Sequence, residues 1–205
     1  EKPWGVILFK RNNKSLNQIQ YLISRIKKLT KDKYLPILID EEGATVSRLS
    51  NIINNNISAN FFGNLYLKNN NLGIKLYKNY LNLICKNLKN IGVNINTVPV
   101  LDILRRNTNK VIGNRSFSDN KEIVIKLGSL TVKQCHANKI ISVIKHIPGH
   151  GCSKFDSHFK KPQVNFNENF LNKNDFYPFK KNHAKLAMTA HILYQKIDNL
   201  NVATF

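Results

Sequence analysis

The sequence predicts an α/β fold made of repeated βα units, an incomplete (β/α)8 TIM barrel with about five strands present and its first and last strands missing. Three observations lead there. Short β-branched apolar runs alternate with helix-patterned segments, as parallel βαβ units require. Polar or titratable residues follow the apolar runs (Lys10-Arg11-Asn12, Asp40, Asp102, Lys145-His146, His191), where a barrel builds its active site. No Gly-x-Gly-x-x-Gly follows the first run, so a dinucleotide-binding fold lacks its fingerprint.

Taken in order, Gly5-Val6-Ile7-Leu8-Phe9-Lys10 is the first strand, an apolar run ending in charge. Leu16, Ile19, Leu22, Ile23, Ile26 and Leu29 form a helical stripe over 16–30. Leu35-Pro36-Ile37-Leu38-Ile39-Asp40 is the second strand, running into Glu41-Glu42-Gly43. Residues 51–71 are asparagine-rich and read as a long loop with room for a short helix. A helix follows over 72–91, with Gly92 suited to its C-terminal cap. Val93 to Asp102 is the third strand and leads into a loop over 105–118. A helix over 120–137 precedes the fourth strand, Ile140-Ile141-Ser142-Val143-Ile144, which Pro148 and Gly149 bring to a stop. A helix over 176–184 and a fifth strand over 186–191 follow, then an irregular tail over 198–205.

The chain has 205 residues and 42% hydrophobic content, enough for one partial barrel domain over 1–205. It lacks an apolar run of about 18 residues, so no membrane span is expected, and its first residues show no signal-peptide pattern. Cys85, Cys135 and Cys152 show no CxxC pairing, which argues against a disulfide framework and for a reducing, cytoplasmic setting. The net charge of +20 raises the question of nucleic acid. The lysines are spread over the whole length among asparagines and isoleucines, the residues an A+T-rich coding sequence favours. No aromatic RNA-binding signature or compact Arg-rich tract accompanies them. Nucleic-acid binding is therefore not expected.

The chemistry concentrates in Lys145-His146-Ile147-Pro148-Gly149-His150-Gly151 and Asp156-Ser157-His158, at the end of a buried strand. His136 and His183 read as structural, His150 as shaping the loop and Asp102 as bracing it, while His191 is equally a pocket residue or a structural one. Cys152 reads as a small apolar filler. A zinc hydrolase using His146, His150 and His158 is a rival reading, but Pro148-Gly149 breaks the helical i, i+4 presentation, and no metal is expected.

Seven motifs stand in order: Gly5-Val6-Ile7-Leu8-Phe9-Lys10-Arg11-Asn12, Asp40-Glu41-Glu42-Gly43, Val98-Pro99-Val100-Leu101-Asp102, Ile112-Gly113-Asn114-Arg115-Ser116-Phe117, Lys145 to Gly151, Asp156-Ser157-His158 and Met188-Thr189-Ala190-His191. In this the chain resembles the bacterial β-N-acetylglucosaminidases (β-N-acetylhexosaminidases) of glycoside hydrolase family three, the peptidoglycan-recycling type. The resemblance implies release of terminal N-acetylglucosamine from muropeptide sugars with retention, by a monomer without cofactor. It implies that Asp40, Arg48, Arg115, Lys145 and His146 bind the sugar, that His158 is the acid/base and that Asp156 is its partner. A β-glucosidase-like member with another sugar preference is the alternative. The family usually continues Glu-Gly-Gly-Arg where this chain has Gly43-Ala44-Thr45, a departure that bears on the local loop and on Arg48. The family's aspartate nucleophile has no match within the chain and is expected beyond Phe205.

The chemistry can work with these groups. Retention needs a nucleophile and an acid/base flanking the anomeric carbon. Histidine titrates near pH 6.5 and populates both forms near neutrality, so it can protonate the leaving oxygen and then deprotonate water. In an extended segment the side chains at i and i+2 point the same way, with Cα atoms about 6.6 Å apart, so Asp156 can steer His158. Gly149, Gly151 and Ser153 are expected to give that loop freedom to move.

Overall fold

The structure, a computed structural model, describes residues 3–105, 111–153 and 162–205. In chain order its elements are β1 (Val6–Leu8), a 3-10 turn (Lys10–Asn12), α1 (Leu16–Thr30), β2 (Ile37–Ile39), β3 (Glu41–Gly43), β4 (Val46–Ser47), α2 (Ala59–Lys68), α3 (Asn70–Ile91) and β5 (Ile95–Asn96). A second 3-10 turn (Gly113–Arg115), α4 (Lys121–Ala137), β6 (Ile141–Ile147), β7 (Gln163–Val164), α5 (Glu168–Lys173), α6 (Tyr177–Lys181), β8 (Leu186–Thr189) and β9 (Leu193–Tyr194) follow.

Five strands make one parallel sheet in the order β1-β2-β5-β6-β8. Spatial order follows chain order, so each unit adds on the same side and there is no reversal of the kind a doubly wound sheet has. That is a sector of a (β/α)8 barrel. Because all five strands are parallel, their carboxyl ends share one rim. The β3–β4 hairpin rises from that rim directly after β2.

The helices start and stop where their caps dictate. The Ser15 hydroxyl accepts the Gln18 N–H at the start of α1, and Asn69 and Asn120 do the same for α3 and α4 through Leu72 and Glu122. Gly92 ends α3 at φ +91°, a conformation glycine adopts without strain.

One core lies between the first three strands and the α1 and α3 helices, with Leu8, Ile19, Ile23, Ile39 and Leu88 all buried. A second joins α2, α3, α4 and the sheet through Phe62, Tyr77, Phe117, Leu127 and Ile144. A third, smaller core gathers Cys152, Val164, Leu171, Ala190, Ile192 and Tyr194.

One expectation is met and two need correction. Residues 51–71 contain a ten-residue helix, α2, started by the Ser58 hydroxyl accepting the Phe61 N–H. This is the short helix the sequence left room for, and packing of Phe62 and Gly63 against the second core outweighs the weak helix propensity of the asparagine-rich stretch. β6 runs on to Ile147, so Lys145 and His146 lie in the strand itself rather than in a loop after it. The helix expected over 176–184 is only α6, and α5 was not anticipated. Among the described residues no helix is long and apolar enough to cross a membrane.

Gly63 offers a test of this packing. A Cβ there would lie 1.8 Å from the Phe117 carbonyl oxygen. Helix propensity alone favours Gly→Ala by about 1 kcal/mol. The clash should reverse that sign, so Gly63→Ala is expected to lower the unfolding free energy by about 2 kcal/mol in urea titration. A neutral or stabilising result would show that α2 stands off the segment carrying Phe117.

Candidate active site

Lys145 is the centre of the site. Its side chain is 2% exposed, and its ammonium donates to the Glu42 carboxylate at 2.5 Å, the Thr97 hydroxyl at 2.9 Å and the Asp40 carboxylate at 3.2 Å. These partners come from two neighbouring strand ends. Asp40 follows β2 and Glu42 sits two residues on, in β3, so extended backbone turns both carboxylates to one side. Thr97 follows β5, and its hydroxyl donates to Asp40. Glu41, between the two acids, points the other way. It accepts from Asn55 at 2.6 Å, Ser47 at 2.8 Å and the Leu49 N–H at 3.0 Å, which fixes the hairpin.

Arg115 closes the second half of the site. Its Nε and Nη2 donate to the two Glu42 oxygens at 2.8 and 2.9 Å, a bidentate fork. Its Nη1 donates to the Val111 carbonyl at 3.0 Å, and Nη2 stands 3.4 Å from His146 Nε2. His146 Nδ1 is 2.7 Å from Asp102, a fully buried carboxylate that also receives the His150 N–H at 2.6 Å. A guanidinium can only donate and a carboxylate can only accept, so His146 holds its proton on Nδ1 and offers Nε2 as acceptor. Arg48 reaches Asp40 at 3.4 Å.

The electrostatics follow from this pairing. Burial opposes ionisation of Asp40, but Lys145, Thr97 and Arg48 outweigh it and hold its carboxyl below the usual range. For Glu42 burial is likewise overcome, by Lys145 and Arg115, and for Asp102 by His146 and His150. Burial depresses the His150 imidazole, favouring its neutral form. Three ionised carboxylates thus face Lys145, Arg115 and Arg48, a balanced polar floor that can exchange hydrogen bonds with a neutral polyhydroxylated ligand.

The residues expected to bind sugar, Asp40, Arg48, Arg115, Lys145 and His146, are brought together at one rim of the sheet. Asp156 and His158 lie outside the described residues. The Ala44-Thr45 departure leaves a two-residue hairpin turn with Ala44 at φ +46°, and Arg48 still meets Asp40 across it. The Thr45 hydroxyl donates to Asn114 at 2.8 Å, tying this turn to the Arg115 turn. His150 and Asp102 shape and brace the loop. His191 is exposed and pairs with Thr204 at 2.7 Å. Gly149 and Gly151 serve close packing rather than freedom of movement: a Cβ on either would lie 2.8 Å from Asp175 atoms. Sequence reasoning passed over Glu42, although its spacing of two from Asp40 was the available signal.

Comparison with known proteins bears on this arrangement. Residues 4–204 match the model of the glycosyl hydrolase family 3 N terminal domain. The chain belongs to glycosyl hydrolase family 3. Among family relatives it is 35% identical to beta-hexosaminidase A of Pseudoalteromonas piscicida, over 97% of this chain and 34% of that protein. It is 33% identical to the beta-hexosaminidase of Hydrogenovibrio crunogenus, over 96% of this chain and 55% of that one. It is similar to the crystal structure of NagZ from Neisseria gonorrhoeae in complex with N-trifluoroacetyl-D-glucosamine, with a TM-score of 0.88 and 30% identity over 97% of this chain and 59% of NagZ. The chain thus spans between about a third and three fifths of the length of these family 3 proteins.

Glu42→Gln tests the floor of this family 3 site, because it keeps the shape and removes the shared counter-ion of two buried cations. Stability at pH 7 is expected to fall by about 3–5 kcal/mol. The Glu42 pKa is lowered on folding, so its contribution is present above the unfolded carboxyl value of about 4 and is lost as pH falls through the folded value. The gap between variant and parent in urea unfolding should therefore narrow below about pH 4. A gap that is constant with pH would mean that the Glu42 charge is not what matters.

Proposed function

We propose that this chain supplies the sugar-holding and acid/base half of a retaining β-N-acetylhexosaminidase. The substrate class is a terminal, non-reducing N-acetylglucosamine on a peptidoglycan-derived muropeptide sugar, which places the enzyme in cell-wall turnover. The observation that carries this reading is the convergence of Asp40, Arg48, Arg115, Lys145 and His146 on one rim, in a chain similar to beta-hexosaminidases and to a NagZ bound to an N-acylated glucosamine. A monomer in a reducing, cytoplasmic setting is part of the same reading and is consistent with three cysteines that lack a pairing pattern.

In this mechanism Asp40 accepts from sugar hydroxyls, while Arg48, Lys145 and Arg115 donate to hydroxyls and His146 Nε2 is free to trade its long contact with Arg115 for a sugar donor. His158 protonates the departing oxygen in the first step and deprotonates water in the second. Asp156 fixes its tautomer and favours the imidazolium. The nucleophile is an aspartate outside residues 1–205. Asp40, Glu42 and Asp102 are poor candidates, since each is already committed to buried cations or to the loop backbone. The chemistry needs no metal and no organic cofactor.

Two measurements check this reading. In the protein made from the complete open reading frame, Asp156→Asn should lower turnover of a chromogenic N-acetylglucosaminide by about 10²–10⁴-fold while N-acetylglucosamine still binds as a competitive inhibitor. Unchanged turnover would refute the dyad. The 205 residues expressed alone should be almost inactive on the same substrate, and robust turnover would place the nucleophile within them.

A further inference from the structure

The third core has a use that the sugar-holding rim does not explain. It sits at both ends of the segment 154–161, which carries Asp156 and His158. On the leading side, Cys152 is one of its buried members, and on the returning side Val164 is another. Tyr194 belongs to the same core and contacts both sides. Its hydroxyl donates to the Gly149 carbonyl at 2.5 Å, and its strand, β9, pairs in parallel with β7, where Val164 lies opposite Tyr194. The Leu193 N–H donates to the Pro162 carbonyl at 3.0 Å, the first described residue after the segment.

A buried carboxylate reinforces the leading side. Asp175, 1% exposed, lies between α5 and α6 and accepts from Arg105 at 2.7 Å and from the Cys152 thiol at 3.2 Å. Gly149 and Gly151 pack so closely on it that neither tolerates a side chain: a Cβ at Gly149 would be 2.8 Å from the Asp175 carbonyl oxygen, and one at Gly151 2.8 Å from its Oδ1. Asp102 holds the same stretch from the opposite side through the His150 N–H. Burying an acid costs free energy unless its partners repay it. Here the outlay is concentrated on four residues, Gly149 to Cys152, that neither bind the sugar nor complete the sheet.

We propose that Tyr194 and Asp175 are positioning residues for the acid/base step, fixing the two ends of the segment that carries Asp156 and His158. This rests on the dyad assigned above. The two residues act through backbone placement and touch no reacting atom. Their loss should therefore impair proton donation to the leaving group and leave sugar binding alone.

The test uses the protein from the complete open reading frame. Tyr194→Phe deletes one hydroxyl and keeps the packing, and Asp175→Asn removes a charge at nearly constant volume. Asp156→Asn serves as the reference. Each is assayed for kcat/KM on two N-acetylglucosaminides, one with a dinitrophenolate leaving group that departs without a proton and one with an alkyl leaving group that needs it. Competitive inhibition by N-acetylglucosamine and the melting temperature are measured alongside. Both positioning variants are expected to lose about tenfold or more on the alkyl substrate, less than about threefold on the dinitrophenyl one, with unchanged inhibition. A merely structural role would lower both substrates alike or weaken inhibition, and either result overturns the proposal, as does full activity on both. If Asp156→Asn itself shows no leaving-group dependence, the dyad falls and this inference with it. A dependence seen in Asp156→Asn but absent from Tyr194→Phe overturns the positioning role alone. Should Asp175→Asn fail to fold, Tyr194→Phe decides the matter.

Discussion

A lysine ammonium held at 2% exposure is the constraint on which the rest of the site depends. Taking such a charge out of water costs several kcal/mol unless oxygen atoms surround it. The chain meets that demand with two carboxylates and a hydroxyl drawn from the ends of β2 and β5 and the start of β3. Register between strands is therefore tied to electrostatics. A shift of one residue in β2 would turn Asp40 and Glu42 away from Lys145 and leave Glu41 in their place. The shared Glu42 then extends the demand outward, because the same two oxygens receive Arg115 from a turn 73 residues away in sequence. Fold and site are one network: the ion pairs specify which strand ends meet, and the meeting strand ends assemble a close set of donors and acceptors.

The parts of this structure legible in the sequence are those where one local signal suffices. The stripe of Leu16, Ile19, Ile23 and Ile26 announces α1, and Ile19 and Ile23 are indeed its buried residues. Runs such as 35–40 and 140–144 announce buried strands by β-branching and length. The convergence of Asp40, Arg115 and Lys145 was legible only through ordered motifs, since no periodicity connects residues so far apart. Other features depend on tertiary context. α2 has few good helix formers, yet Gly63 lets it approach the backbone at Phe117 closely enough to share a core. β7 and β9 are two residues each, too short for any alternation to be seen, and exist because Val164 and Tyr194 share a core. Glu42 looked like one member of an acidic run, and its role emerges only when Lys145 and Arg115 arrive from elsewhere.

The net charge of +20 has little to do with the site. There Lys145, Arg115 and Arg48 are matched by Asp40, Glu42 and Asp102, so the pocket carries no large excess of either sign. A neutral sugar, the ligand proposed above, would gain nothing from a strong net field. Such a ligand would gain from preset hydrogen-bond geometry, which an internally paired floor offers.

That pairing also sets a limit on what the floor can do. Every carboxylate in it is held below the usual range by its partners, with burial opposing, so none is suited to exchange a proton near neutrality. A group that exchanges a proton there is none of these three carboxylates. Under the assignment proposed above, proton transfer falls to Asp156 and His158, which lie outside the described residues. The third core packs residues on both sides of 154–161, and the two Asp102 oxygens divide between His146 and the His150 N–H. Asp102 thus ties the ion-paired floor to the stretch that leads into that segment.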